Sequence, residues 1–152
     1  MTPVKAQDPY DWEQLLSLIQ ECFAFMEGRI DPPSSMHRLT AVEIAQQARD
    51  GEVWVLGRPA FACVFLTPKA ESLYVGKLAV AASVRRKGFA RKLIDLATER
   101  AKVLGLSAVE LQTRVELFEN QSAFMSMGFQ EVGRTSHPGF DRPTSITYRR
   151  KV

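Results

Sequence analysis

A cluster of basic residues around a glycine is the part of the sequence best suited to chemistry. Arg85, Arg86, Lys87 and Gly88 follow a nearly continuous apolar segment and precede an amphipathic one. The first turn of a helix leaves N–H groups unpaired and carries partial positive charge, and glycine lets a ligand oxygen approach the backbone. Uncompensated cations at a helix start cost about 0.3–1 kcal/mol each. The stretch therefore predicts a pyrophosphate site, with a solvated basic turn as the alternative.

Two other phosphate-binding arrangements are absent. No segment has the G-x-x-x-x-G-K-S/T pattern of a P-loop. A dinucleotide-binding turn needs G-x-G-x-x-G after the first strand, but here Arg85 stands where a glycine is needed and the turn lies mid-chain. ATP or NAD binding by those routes is therefore not expected.

The basic turn also resembles a known motif. Residues 85–90 read RRKGFA and match in full the acyl-coenzyme A-binding motif Q/R-x-x-G-x-G/A of the GNAT N-acetyltransferase superfamily. A strand ending in Leu78-Ala79-Val80 precedes it, and a long helix, a strand and a short helix ending in Met127-Gly128-Phe129 follow. The resemblance covers residues 50–150 well, and the first helices match in order.

The resemblance implies a coenzyme site for acetyl-CoA and no metal. The main chain of Leu78 and Val80 would bind the pantetheine arm between two splayed strands, and Phe124 would pack against the coenzyme. The pyrophosphate would be held by the basic turn and the start of the next helix. These residues are Arg85, Arg86, Lys87, Gly88, Phe89, Ala90 and Arg91.

The catalytic residues that the resemblance implies are only partly present. Asn120 matches an asparagine that contacts the coenzyme arm or orients the thioester, although a helix N-cap is equally good chemistry for it. Phe124 stands where many members have a tyrosine that protonates the leaving thiolate. Tyr74 stands where some relatives have a glutamate. Glu116, just past the second splayed strand, is the candidate carboxylate, with a solvated loop acid as the alternative.

The implied reaction is direct attack of a primary amine on the acetyl thioester in a ternary complex. The acceptor would be a small-molecule, peptide or protein amine. The missing tyrosine keeps open an alternative function, a catalytically weak acyl-CoA-binding or sensor module. Lys77 is expected to face outward or support the sheet, and His37 and His137 to be loop residues that could simply be solvated.

Two long loops are the expected acceptor site. They cover 27–38 and 136–145, and both exceed the median connection of roughly 4–6 residues. Arg29, Asp31 and Arg142 within them would match an amine that carries a carboxylate, because arginine grips a carboxylate with two hydrogen bonds. The alternative is that these charged residues pair with each other and pin the loops.

The composition is typical of one globular domain over residues 1–152. The chain has 152 residues, 45% hydrophobic and 24% charged, and no apolar run approaches the roughly 18–20 residues of a membrane helix. Its start lacks a signal-peptide core, so we expect a cytoplasmic protein. Cys22 and Cys63 are expected to be buried thiols. A net charge of +3 does not indicate nucleic-acid binding, and family resemblance suggests a homodimer.

Hydrophobic periodicity predicts alternating helices and strands. Asp8 is the expected N-cap of the first helix, and Thr40 with Glu43 forms a capping box before the second. Helices are expected over 9–27, 41–49, 88–104 and 120–127. Strands are expected over 52–56, 60–66, 72–81, 107–115, 130–134 and 145–150. Together with the resemblance, this predicts an α/β fold: a twisted mixed sheet of six or seven strands, with splayed central strands and about four helices.

Overall fold

Seven strands form a single mixed sheet in the computed structural model, which describes all 152 residues. The order across the sheet is β1-β2-β3-β4-β5-β7-β6; β4 and β5 are parallel and the other pairs are antiparallel. The strands are β1 (Val4–Lys5), β2 (Glu52–Leu56), β3 (Ala62–Pro68), β4 (Ser72–Val80), β5 (Ala108–Arg114), β6 (Gln130–Thr135) and β7 (Ser145–Lys151). The helices are α1 (Trp12–Phe23), α2 (Ala41–Asp50), α3 (Phe89–Val103) and α4 (Phe118–Ser126).

Two apolar cores cover the two faces of the sheet. Side chains that alternate along β2 and β3 divide between them, as the two-residue repeat of a strand requires. On one face, Leu93, Ile94 and Ala97 of α3 pack against the sheet. On the other face, α1 and α2 do so through residues such as Ile19 and Ile44. The predicted α/β class, the mixed sheet and the four helices are confirmed.

The helix starts show where the sequence prediction was right and where it was wrong. The Thr40–Glu43 capping box before α2 is present, with both reciprocal hydrogen bonds. The first helix begins three residues later than predicted, because the Asp11 side chain accepts from the N–H of Gln14 and is the N-cap. Asp8, the predicted cap, instead accepts a hydrogen bond of 2.8 Å from Trp12 Nε1.

Three short elements were not predicted, and the last helix starts early. Strand β1 pairs with β2 at one edge, and 3-10 turns cover Ser35–Arg38 and Ala82–Val84. Helix α4 begins at Phe118 rather than at Asn120. Asn120 therefore lies inside the helix, and its alternative interpretation as an N-cap is wrong.

The central strands β4 and β5 separate part-way along their length. They pair from Ser72 with Ala108 to Val75 with Leu111, yet both strands continue for several residues without pairing with each other. At the point of separation β4 shifts register against β3, and Lys77 takes a positive φ of 45°. A β-bulge of this kind bends its strand and increases the local twist. The bend opens a gap in the middle of the sheet.

A half-buried ionic network ties α3 to strand β2. Arg100 of α3 donates to both oxygens of Glu52, at 2.9 and 2.6 Å. Trp54 donates to the same carboxylate at 2.7 Å, and the Arg100 guanidinium lies 5.7 Å from the Trp54 ring centroid. These contacts fix the position of α3, whose opposite end begins at the basic turn.

Candidate active site

The basic turn leaves a run of backbone N–H groups without acceptors. Arg86 and Gly88 have φ values of 64° and 82°, so the chain makes two left-handed steps before α3. The N–H groups of Arg86, Lys87 and Gly88 have no intramolecular hydrogen bond. Gly88 is the N-cap of α3, no side chain caps the helix and no acid lies in its first turn. The turn therefore presents N–H donors and positive charge to the same space, as anion binding requires.

Gly88 combines a left-handed backbone with an open surface. A Cβ built at this position would meet no atom within 4 Å. Packing therefore does not require glycine here; the backbone conformation favours it, and the absent side chain leaves the N–H groups accessible. Both properties fit a bound diphosphate.

Arg85 differs from its neighbours in the turn. Its N–H points back to the carbonyl of Ala82 at 3.4 Å, and its Nε donates to the carbonyl of Val80 at 3.2 Å. The carbonyl of Val80 thus already has a partner, and the binding of pantetheine by the main chain of Val80 stays a prediction. Leu78 lies in the bulge, has no partner in register on β3, and lines the gap between the strands.

A cleft of about 950 Å³ occupies the gap between β4 and β5. Leu78, Asn120 and Phe124 line it on the side of α3 and α4. The loops after α1 and before β7 line the other side, through residues such as Ser35 and Phe140. The cleft is therefore bounded by predicted coenzyme residues on one side and by the two predicted acceptor loops on the other.

Asn120 and Phe124 face this cleft one helical turn apart. The Asn120 side chain has no hydrogen-bond partner within the protein, so its amide is free to bind a ligand. Phe124 packs edge-on against Phe129, with ring centroids 6.0 Å apart. The phenylalanine contributes an apolar wall and no proton donor.

Comparison with known proteins decides the family. Residues 12–129 match the sequence profile of the acetyltransferase (GNAT) family. The chain belongs to this family. The resemblance seen in the sequence is thereby confirmed, although no curated protein matches the chain by sequence.

Solved GNAT structures share the fold at low sequence identity. An acetyltransferase from Streptococcus agalactiae superposes with a TM-score of 0.76 at 17% identity, covering 99% of this chain and 97% of that one. The ribosomal-protein-S18-alanine N-acetyltransferase from Escherichia coli gives 0.72 at 15%, covering 99% and 92%. A GNAT family acetyltransferase from Elizabethkingia anophelis, solved with acetyl-CoA bound, gives 0.67 at 14%, covering 99% and 97%. None of the helices here combines the length and apolar character of a membrane span.

Glu116, the predicted carboxylate of this GNAT chain, contacts an acceptor loop. Its Oε2 accepts a hydrogen bond from the N–H of Asp31 at 3.1 Å. Its Oε1 is buried and has no hydrogen-bond partner in the protein. Glu116 does not line the cleft. Its catalytic role stays a prediction, while its contact with Asp31 positions the loop.

Each of the three predicted acceptor residues forms an ion pair. Arg29 pairs with Glu119 of α4 at 2.8 Å, and Arg142 pairs with Asp31 at 3.3 Å. None of Arg29, Asp31 and Arg142 lines the cleft. For Asp31 and Arg142, the pairing that the sequence offered as an alternative is the one present, and it joins the two loops.

Two cations that the sequence analysis did not assign to the site, Lys77 and Arg114, lie in the cleft instead. Lys77 is half-buried there and donates to Ser35 Oγ at 3.0 Å. Burial lowers the pKa of Lys77, and the charge of Arg114 lowers it further. Lys77 and Arg114 come from the stretches of β4 and β5 that no longer pair with each other. Their position just beyond the predicted splay is the sequence signal that could have identified them.

Two other cleft residues have shifted proton affinities. Burial raises the pKa of Tyr74, and the charge of Glu110 adds to the effect, so the phenol stays protonated at neutral pH and is not a base. Burial lowers the pKa of His137. The charge of Arg114 lowers this pKa further, and the charge of Glu116 opposes the change. His137 also contacts the Thr144 hydroxyl through Nδ1. A neutral imidazole in the cleft is a candidate proton acceptor.

Proposed function

We propose that this GNAT chain transfers the acetyl group of acetyl-CoA to a primary amine by direct attack in a ternary complex. The observation that carries the proposal is the separation of β4 and β5 beside a helix start with unpaired N–H groups. One feature accepts an extended arm between two strands, and the other accepts a diphosphate. Acetyl-CoA contains both groups in one molecule.

The coenzyme-binding residues follow from this arrangement. Arg86, Lys87 and Gly88 supply free N–H groups to the diphosphate, and the first turn of α3 over 89–91 extends the set. The side chains of Arg85 and Arg91 add positive charge at an exposed surface. Leu78 and Phe124 provide apolar walls for the arm, and the free amide of Asn120 orients it.

The reaction needs little from acidic side chains. The amine nitrogen attacks the acetyl carbon, the carbon–sulfur bond breaks, and the coenzyme leaves as a thiolate while the amine loses a proton. A thiol with a pKa of about 8.5 is an adequate leaving group near neutral pH, so the phenylalanine at position 124 does not prevent turnover. His137 and Glu116 are the candidate groups to accept the amine proton, the first from within the cleft and the second from beside it.

The decisive test combines binding and turnover. Calorimetry with acetyl-CoA should show binding to the purified protein, and an amine library should contain acceptors that accelerate thiol release. Binding without any amine-dependent release would favour the acyl-CoA-binding module instead. Absence of binding would overturn the proposal. Because the Escherichia coli relative is named for the alanine of a ribosomal protein, the library should include peptide amino termini beside small amines.

A further inference from the structure

The charge of the cleft is one-sided. Its lining contains three cations, two histidines and no aspartate or glutamate: Arg38, Lys77, Arg114, His37 and His137. His37 contacts Glu27, at 2.9 Å, outside the lining. All five come from the acceptor loops or from the strand ends that face them. A site for a polyamine or another cationic acceptor would need carboxylates in the same place.

Lys77 and Arg114 converge on one loop from the two separated strands. Lys77 Nζ donates to Ser35 Oγ at 3.0 Å. Arg114 donates to the carbonyls of Pro32 and Pro33, at 2.7 and 3.2 Å. Both cations therefore bind the stretch over 32–35, and each uses only neutral oxygen acceptors. An ammonium and a guanidinium have more donors than these contacts use, so donors remain for a ligand.

Neither cation has a carboxylate partner within salt-bridge distance. The contrast with other partly buried arginines is clear: Arg100 pairs with Glu52 at 2.6 Å, and Arg149 pairs with Glu110 at 2.8 Å. The charges of Glu116 and Asp31 act on Arg114 from a longer range, but burial outweighs them and lowers its pKa overall. A partly buried cation without a carboxylate in direct contact is unfavourable, because it has lost water and gained little opposite charge. An anion bound between Lys77 and Arg114 would remove this cost.

We infer that the acceptor is a primary amine that carries a carboxylate, and that Lys77 and Arg114 bind this carboxylate on the loop side of the cleft. The inference rests on the proposed function, because it names the acceptor class of the same site. Leu78 packs with the core on the α3 side, whereas Lys77 reaches Ser35 among the loops. The acceptor would therefore hold its carboxylate toward the loops and its amine toward the coenzyme.

The test compares matched acceptors that differ in one charge. Thiol release from acetyl-CoA is followed with a panel of amino acids, each beside its own carboxamide, and with spermidine and phosphoethanolamine. We expect kcat/KM for the acids to exceed that for the carboxamides by about tenfold or more, because a site built for a polar group rejects an analogue that lacks it. The carboxamide amines are less basic and hence more deprotonated near neutral pH, so amine reactivity works against the expected preference.

Two variants locate the effect. Lys77→Met keeps an unbranched apolar stem and should bring the acid-to-amide ratio close to one, mainly through a raised acceptor KM, with acetyl-CoA affinity unchanged. Lys102→Met removes the same charge from the exposed end of α3 and should leave the ratio unchanged. The wild-type comparison stands alone if Lys77→Met does not fold.

The outcomes separate this inference from the proposed function. If carboxamides or spermidine are turned over as well as the acids, the transferase stands and the carboxylate site is overturned. A preference for phosphoethanolamine over every carboxylate also overturns it. If acetyl-CoA binds but no amine releases thiol, the transferase fails instead. Calorimetry of N-acetylglycine against N-acetylglycinamide then decides about the carboxylate site, and equal affinities for the two would overturn it.

Discussion

Gly88 allows the coenzyme site to be tested against a closely matched control. Gly105, just past the C-terminal end of α3, has a φ of 74° where Gly88 has 82°. A Cβ at either glycine would meet no atom within 4 Å. The same substitution therefore introduces the same backbone strain and no clash at both ends of one helix, but only Gly88 adjoins the unpaired N–H groups.

The stability effects of the two substitutions should be nearly equal. A non-glycine residue in the left-handed region costs roughly 1–2 kcal/mol. For a protein of this length, 1 kcal/mol corresponds to a fall in Tm of about 2–4 °C. We therefore expect Gly88→Ala and Gly105→Ala each to lower the Tm without ligand by about 2–8 °C, and by nearly the same amount.

The binding effects should differ. Gly88→Glu places bulk and negative charge where the diphosphate binds, and we expect acetyl-CoA affinity to fall at least tenfold, about 1.4 kcal/mol. At a ligand concentration of about 100 times the wild-type Kd, stabilisation by acetyl-CoA would drop from about 2.7 to about 1.4 kcal/mol. Gly105→Glu should keep the wild-type value. Equal affinities for the two glutamate variants in calorimetry would refute the placement of the diphosphate at the start of α3.

Three further outcomes follow from the same contacts. Arg85→Ala should weaken acetyl-CoA binding less than Gly88→Glu does, and calorimetry at rising salt should show the difference from wild type shrinking. With Phe124 at the usual acid position, the wild-type rate should climb with pH and show no falling limb near neutrality; a clear descending limb would reveal another acid. Arg100→Met should lower the free energy of unfolding in urea by about 3 kcal/mol, the low end for breaking a buried ion pair because Arg100 keeps some exposure. Burial alone would raise the pKa of Glu52, but hydrogen bonds from Arg100 and Trp54 lower it overall. The stabilisation by this ion pair should therefore be present above the unfolded pKa of about 4.5. It should be lost as the pH falls through the lower pKa of the folded state.

Most of the fold could be predicted because its signals are local. The capping box at Thr40, the apolar stripe of α3 and the basic turn before it are short-range patterns that determine where elements begin. Strand β1 was missed because two residues give no periodicity, and they pair only because β2 offers a free edge. The start of α1 was misplaced because Asp8 and Asp11 are both good N-caps. In the fold, the carboxylate of Asp8 accepts hydrogen bonds from Trp12 and Arg49 instead.

The coenzyme half of the site was easier to predict than the acceptor half for the same reason. The basic turn is contiguous in sequence, so its motif can be recognised without knowledge of the fold. Lys77 and Ser35 are 42 positions apart in the sequence, yet they form a hydrogen bond at the bulge in β4. Asp31 and Arg142 were chosen for their charge, but they satisfy each other across 111 positions. Only the folded chain shows which charges neutralise one another and which remain free.

The short pairing of β4 with β5 has a mechanical consequence. The four residue pairs from Ser72–Ala108 to Val75–Leu111 are the only strand pairing that joins β1–β4 to β5–β7. The sheet is thus two halves hinged at one end, and packing on the two faces sets how far the hinge opens. A change of volume at Phe129 or Ala79, which no ligand needs to touch, would alter the cleft width, so acceptor preference can shift through substitutions in the core.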